Sequence, residues 1–421
     1  MRRKIILSGA AVLAGVAASP VTAQAVIEEK GVADRARPDY DAIGARLGSY
    51  VVYPSVTVTT EATDNYYATD RNKRSDAYIV VSPEVYVRSD LSRRRIEARA
   101  FFNQSVHANL GSENTASGGA SLSGAYEPTR NTQLTANVSA AHYVESRASL
   151  GAFQGTSDPV KFETYHAGLG VTHSFVDLSL GLNGSLDRYN FHDTRLRDGT
   201  PIDQDYRDAR LATVGGTAQY SLRNGIGLIA SAQYVSEHFD FGPGSPGYSS
   251  AGYVNRNSSG VNLLGGVTLE LSHLIFGHLE AGYVTRNYED PRLFDYSGLS
   301  FSGDVLWNVT PLTSLRFRAS RSVQDTSSQF FAGNTVSDFR FSVDHELYRY
   351  IILSGDFDYS HFSPNGPGIG GNQYYAGVSA RYLINRRYSV TGSLRHSGRS
   401  SSSEFLRYQA NYASIGLRVA F

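Results

Sequence analysis

From residue 50 to the C-terminus one pattern recurs along the chain, apolar side chains at every second position followed by a polar break. Val52, Pro54, Val56 and Val58 alternate with Tyr53, Ser55, Thr57 and Thr59, and Ile79, Val81, Val85 and Val87 with Tyr78, Ser82, Glu84, Tyr86 and Arg88. The same holds for Ile96, Ala98, Ala100 and Phe102 against Glu97, Arg99, Phe101 and Asn103. A period of two places each set on one face of an extended strand, and no long helical period interrupts the series. The final strand puts Ile415, Leu417, Val419 and Phe421 on one face and stops on that phenylalanine. An apolar face maintained to the last residue suits a closing strand that lies against lipid.

The breaks themselves alternate in length. Tight polar turns at residues 89–94, 128–131, 175–177, 223–225, 272–275, 308–313, 347–350 and 384–387 are interleaved with mostly longer Gly-, Ser-, Asp- and Asn-rich loops such as 147–160, 192–206, 242–256 and 363–371. Short turns at one end and long loops at the other are the habit of outer-membrane barrels. The fold class is therefore all-β, a transmembrane antiparallel up-and-down β-barrel of about 18 strands, an even number that leaves both termini in the periplasm. Aromatic pairs at strand ends (Tyr66 and Tyr67, Tyr189 and Phe191, Phe239 and Phe241, Phe294 and Tyr296, Phe330 and Phe331, Tyr374 and Tyr375) fit an outer girdle. Trp307, Tyr348, Tyr350 and Tyr388 fit an inner one.

The N-terminus supplies the address. Arg2, Arg3 and Lys4 precede an apolar stretch from Ile5 to Ala18 and a small-x-small site at Ala23-Gln24-Ala25, so residues 1–25 read as a secretory signal peptide cleaved after Ala25. Residues 26–49, charged and poor in large apolar side chains, read as a flexible periplasmic lead-in, and residues 50–421 as the barrel. A lead-in that docks on an export partner or tucks into the lumen is the sharper alternative.

Composition removes other classes. Lys and Arg total 39 against 39 Asp and Glu, which leaves no basic surface for nucleic acid, and cysteine is absent, which leaves neither disulfides nor thiolate metal sites. No Gly-x-Ser-x-Gly elbow or His-Glu-x-x-His motif occurs among scattered histidines. Asp344 and His345 are adjacent and so point to opposite faces of a strand, while His238 with Asp240 and Asp356 with Asp358 offer only two ligands each. The expectation is a non-enzyme with no cofactor and no metal.

If the apolar member of each alternation faces lipid, the lumen is lined by Glu97, Arg99, Asp304, Arg316, Arg318, Arg340, Asp344, Glu346, Asp356, Asp358, Arg381, Arg395 and Arg418. Two arrangements are open. The charges form a mutually neutralising network, or arginines on one side face carboxylates on the other and set up a transverse field across a narrow channel.

The stretch from Arg37-Pro38-Asp39-Tyr40-Asp41-Ala42-Ile43-Gly44 through Leu47-Gly48-Ser49-Tyr50, followed by Tyr53-Pro54-Ser55, Asp64-Asn65, Ser75-Asp76, Ser82-Pro83 and Arg88-Ser89-Asp90, resembles the opening of the putative β-barrel porin 2 family of outer-membrane proteins. The resemblance implies the barrel and, through members that look like parts of capsule or exopolysaccharide export systems, traffic of polysaccharide. It carries no catalytic or ligand-binding residues. The expected function is an outer-membrane conduit for an exported polysaccharide. The alternatives are a general diffusion porin for small polar solutes and a structural or adhesive barrel with a closed lumen. Expected partners are outer-membrane lipid, the barrel-assembly machinery through Ile415, Leu417, Val419 and Phe421, and a periplasmic polysaccharide-export component.

Overall fold

The computed structural model describes residues 30–150, 155–222, 225–249, 253–324 and 333–421. The stretch read from the sequence as a signal peptide, with the expected cleavage after Ala25, and the Phe330–Phe331 pair lie outside these residues. Eighteen long strands form one closed antiparallel barrel. They are β1 (Tyr50–Thr63), β2 (Asp76–Ser89), β3 (Arg94–His107), β4 (Thr115–Thr129), β5 (Thr132–Val144) and β6 (Lys161–Ser174). Next come β7 (Leu178–Phe191), β8 (Ala209–Ser221), β9 (Ile226–Phe239), β10 (Ser258–Leu271), β11 (Ile275–Tyr288) and β12 (Tyr296–Thr310). The last six are β13 (Thr313–Gln324), β14 (Asn334–Tyr348), β15 (Ile351–Pro364), β16 (Gly371–Leu383), β17 (Tyr388–Ser401) and β18 (Tyr408–Ala420). Each strand pairs with the next, and β18 returns to β1 in the register Ser55↔Ala420 to Thr63↔Tyr412. Closure leaves no open edge, so every strand's backbone groups are satisfied inside the sheet, the condition for crossing hydrocarbon.

The alternation in the sequence becomes two faces. Leu169 (70 % exposed), Leu182 (65 %), Leu186 (65 %), Val378 (60 %) and Ile415 (60 %) stand on the outer wall. Between them, residues of opposite parity such as Ser55, Glu61, Ser82, Thr213 and Glu280 are buried inside. A strand of β7's length, 14 residues, rises roughly 46 Å at about 3.3 Å per residue, and a barrel tilt near 45° brings this to about 33 Å, enough to span the apolar core.

Register shifts occur at Tyr126/Thr129, Asn308/Thr310 and Glu346/Tyr348, each beside a short turn. At strand ends they widen a turn without inverting the faces of the strand body. The C-terminal strand is held to its last residue, for Phe421 N–H donates to the Pro54 carbonyl at 3.1 Å and Ala420 N–H to that of Arg387 at 2.8 Å.

The lead-in departs from the sequence expectation. Instead of hanging as a tail, residues 30–43 enter the barrel end that carries the short turns, and Val32 and Ala33 are buried there. Residues 45–47 then pair with the first residues of β1, Leu47 opposite Tyr50, through a turn in which Gly48 takes φ +59°. A left-handed residue at this place is cheap only for glycine.

Candidate functional site

The lumen divides into two arcs of different chemistry. One arc runs from β10 through β18 and on to β3 and carries most of the charges, beginning with the buried Glu280 of β11, which accepts from the Ser231 hydroxyl at 2.9 Å. Asp304 of β12 accepts from Arg316 Nε of β13 at 2.6 Å and from Arg318 Nε at 3.2 Å. Arg340 Nε of β14 reaches Asp358 of β15 at 2.7 Å, and Asp344 accepts from the Ser354 hydroxyl. Across the closing seam Arg395 of β17 pairs with Glu61 of β1, which also accepts from the Tyr78 hydroxyl, and Arg418 Nη2 donates to Ser55 Oγ at 3.1 Å. Arg99 Nη2 of β3 meets Glu84 of β2 at 2.7 Å, with Glu97 on the same face. Asp356 and Arg381 share the inner parity of β15 and β16.

The lumen residues named from the sequence thus all fall on one parity, opposite the exposed apolar side chains. Their circumferential order is not the segregated one. Cations and carboxylates sit on neighbouring strands in contact with each other, which shortens the field of each to a few ångströms instead of projecting it across the bore. The partners Glu61 and Glu84 were legible as inner residues, but only the register shows that they face Arg395 and Arg99.

The other arc, β4 to β9, is lined mostly by neutral groups, with Asp187 of β7 and Glu237 of β9 as buried carboxylates among them. Ser117, Ser121 and Ser123 of β4 are followed by Thr135, Asn137 and Ser139 of β5, Thr164 and Thr172 of β6, Asn183 and Ser185 of β7, Thr213 and Thr217 of β8, and Ser231 and Gln233 of β9. Asp187 is engaged by His166 Nδ1 at 2.6 Å, and His166 Nε2 lies 2.6 Å from Asn137 Nδ2. That chain passes over Gly168, where a Cβ would come within 2.6 Å of the Asn137 side-chain oxygen, so the glycine leaves room for the polar bridge.

Long loops constrict the outer mouth. Glu113, fully buried, forms a bidentate pair with Arg147 at 2.6 and 3.1 Å, and buried Glu145 a second with Arg207 at 2.9 and 3.2 Å. The Ala148 carbonyl takes a hydrogen bond from Arg399 of β17, while Ala148 packs with Ala68 on Tyr408, Ala410 and Tyr412 of β18. The chain leaving β5 therefore reaches the opposite part of the mouth. Phe191 and Phe239, expected in the outer girdle, are instead buried inside, with the guanidinium carbons of Arg207 and Arg256 at 3.9 and 4.0 Å from their ring centres. Outward aromatics on the upper strands include Phe102, Tyr165, Tyr234, Tyr283 and Phe339. At the other end Trp307, Tyr348, Tyr350 and Tyr388 are exposed on the wall, as a girdle requires.

Beyond the strands, burial is the largest influence on the Asp208 carboxyl and pushes it up to about 6. Hydrogen bonds from Arg292 hold Asp290 well below the usual carboxylate range.

The periplasmic mouth holds the lead-in. Val32 N–H donates to Ser314 Oγ at 2.8 Å, Arg35 Nη2 to Asn308 Oδ1 at 3.0 Å, and Arg37 Nη2 to Glu346 Oε2 at 2.6 Å and to the Val32 carbonyl at 2.8 Å. Arg386 Nε donates to the Pro38 carbonyl at 2.9 Å. The driving force is the satisfaction of the buried Val32 carbonyl and of the Glu346 charge by Arg37, whose own charge is matched by that carboxylate.

Of the pairs weighed for chemistry, Asp356 and Asp358 line the lumen, while the other two do not converge there. His345 faces outward with Nδ1 2.9 Å from Thr313 Oγ1, away from Asp344. Asp240 lies on the outer side in ion pairs with Arg188 at 2.8 Å and Arg210 at 3.4 Å.

Comparison with protein families agrees with this architecture. The family model described as Putative beta-barrel porin 2 matches residues 37–421, nearly the whole chain. A search of curated proteins returns no match. Among solved structures the chain is similar to the siderophore receptor PiuA from Acinetobacter baumannii, with 9 % identity, TM-score 0.47, and coverage of 90 % of this chain and 82 % of that one. It is also similar to a BenF-like porin from Pseudomonas fluorescens Pf-5, with 11 % identity, TM-score 0.44, and 88 % and 99 % covered. A third is the outer membrane protein opdK from Pseudomonas aeruginosa, with 11 % identity, TM-score 0.42, and 88 % and 99 % covered.

Proposed function

We propose a cargo for this chain, which belongs to the family of outer-membrane channels described as Putative beta-barrel porin 2: it conducts carbohydrate, and the strand it passes is an exported polysaccharide. The observation that carries this reading is the largely neutral arc from β4 to β9, a wall mostly of hydroxyl and amide groups across from an arc in which Asp304, Asp358, Glu61 and Glu84 are paired with arginines. A sugar polymer offers hydroxyls at every step and can exchange one weak hydrogen bond for the next along such a wall, with little net cost per step. Tight binding at any single point would stall it. A charged solute, by contrast, would compete with the ion pairs of the opposite arc. The outward direction rests on the resemblance of the first strands to members of export systems.

A second reading, diffusion of small polar solutes, is favoured by the narrowing of both mouths, by residues 145–150 outside and residues 30–43 inside. One experiment separates the two. The gene is deleted and complemented, extracellular polysaccharide is weighed against polymer retained in the periplasm, and the purified barrel is placed in a planar bilayer with saccharides of graded length. Loss of secreted polymer together with length-dependent current block supports the polysaccharide. Unchanged secretion with block only by short sugars moves the assignment to small solutes.

A further inference from the structure

We infer that the outer wall carries a binding site for one divalent first-row transition cation, held by His142, Glu163 and His192. His142 of β5 and Glu163 of β6 are cross-strand partners, Glu163 is in turn opposite Asn190 of β7, and His192 follows two residues later with its backbone N–H on the Lys161 carbonyl at 2.9 Å. All have the parity of the exposed Val138, Leu169 and Leu182, so the group lies on the outside of the barrel, at the end where the long loops emerge.

The donor atoms already converge. Glu163 Oε1 lies 3.3 Å from His142 Nδ1 and 2.6 Å from His192 Nε2, and the three donors lie within 4.8 Å of one another. A tetrahedral zinc with bonds near 2.0–2.1 Å needs donor separations of about 3.3–3.4 Å. The first distance fits as it stands, and the second opens by about 0.7 Å through rotation of the half-exposed His192. Binding replaces two hydrogen bonds. In the bound state each imidazole carries its proton on the other ring nitrogen and gives its lone pair to the cation.

Orientation and selectivity are also present. Asn190 Nδ2 donates to the second carboxylate oxygen, Glu163 Oε2, at 2.8 Å, which leaves Oε1 aimed at the two imidazoles, an arrangement typical of the shell behind a metal ligand. Two imidazoles and one carboxylate suit zinc, copper or nickel, whereas calcium and magnesium prefer all-oxygen sets. The fourth position opens to solvent beside His192. Asp193, Asp203 and Asp205 gather in the loop immediately beyond and raise the local concentration of cations. Bound metal would tie together the outer ends of three consecutive strands.

The test is calorimetric titration of the detergent-folded full chain with Zn(II) alone, repeated with Ni(II), and for His142→Ala, His192→Ala, Asn190→Ala and, as a control on another outward histidine, His361→Ala. The expected result is saturable one-to-one binding, weakened on the order of tenfold or more by each of the first three changes and unaffected by the last. A zinc-dependent rise in unfolding temperature should vanish in His142→Ala and His192→Ala, and heat-modifiable gel migration reports whether each variant is folded. Absence of saturable binding to the intact chain overturns the proposal. Binding that is undiminished in His142→Ala and in His192→Ala overturns it equally, since the cation would then be on the aspartates or elsewhere.

Discussion

Arg37 and Glu346 stand 309 residues apart in sequence and meet at 2.6 Å inside the periplasmic end of the barrel, with 5 % and 11 % of their side chains exposed. That contact fixes the lead-in in the mouth, because Arg37 also closes back on the Val32 carbonyl. Removing one partner of so enclosed a pair costs about 3–5 kcal/mol, mostly as the uncompensated charge left behind. Arg37→Ala should therefore release the segment and raise single-channel conductance, with deletion of residues 30–43 giving the same increase. Equal conductance in all three proteins would show that the seated segment does not limit flow.

The Asp304 cluster separates stability from selectivity. Its side chains are a quarter to nearly half exposed, so loss of the carboxylate in Asp304→Asn should change unfolding free energy by no more than about 1 kcal/mol. Two arginines would nevertheless lose their counter-charge. Reversal potentials across a salt gradient should shift toward anions, and more so at low ionic strength, where screening is weaker.

Adjacent positions on β7 report the two faces. Leu182→Arg places a charge on the exposed apolar wall and should cost about 2–4 kcal/mol in lipid near the midplane, whereas Asn183→Arg, one residue on and facing inward, should cost far less. Reversible urea unfolding in liposomes measures both.

Two loop carboxylates give opposite pH dependences. The Asp208 carboxyl is raised from 3.8 to about 6, so the folded state binds the extra proton between these values, and its contribution makes the protein more stable as pH falls through about 6, levelling below the unfolded value. Asp208→Asn should remove that rise while keeping an acceptor for the Phe191 N–H, which now donates to Asp208 Oδ1 at 2.7 Å. Asp290 is depressed, so its stabilisation is present above 3.8 and is lost only as pH falls below the usual carboxylate range. Thermal unfolding between pH 8 and pH 3 in both variants, Asp208→Asn and Asp290→Asn, checks the signs.

The terminal phenylalanine is offered as a determinant of assembly. Phe421 is 55 % exposed on the outer wall, in line with Ile415, Leu417 and Val419. Phe421→Ala leaves its backbone bond to Pro54 in place and should lower the amount of barrel reaching the outer membrane several-fold without changing the unfolding temperature of the fraction that folds. An unchanged amount would remove the C-terminal strand from the recognition step.

The sequence by itself determined the strands, their number, the outward set of apolar residues and the inner parity of the charges, because side-chain alternation is a local property that any stretch from Val52 to Phe421 displays without knowledge of the rest. Arg316 and Asp304 could be placed inside from their own neighbours. That they bond to each other, as Arg395 does to Glu61 across the closing seam, depends on register and closure, which join residues as far apart as β1 and β18. The seating of Arg37, the inward path of residues 145–150 and the inward turn of Phe191 and Phe239 were likewise decided only by the tertiary structure. In each case the deciding contribution is a buried charge, carbonyl or aromatic ring, and the partner that satisfies it is brought close by the closed barrel alone.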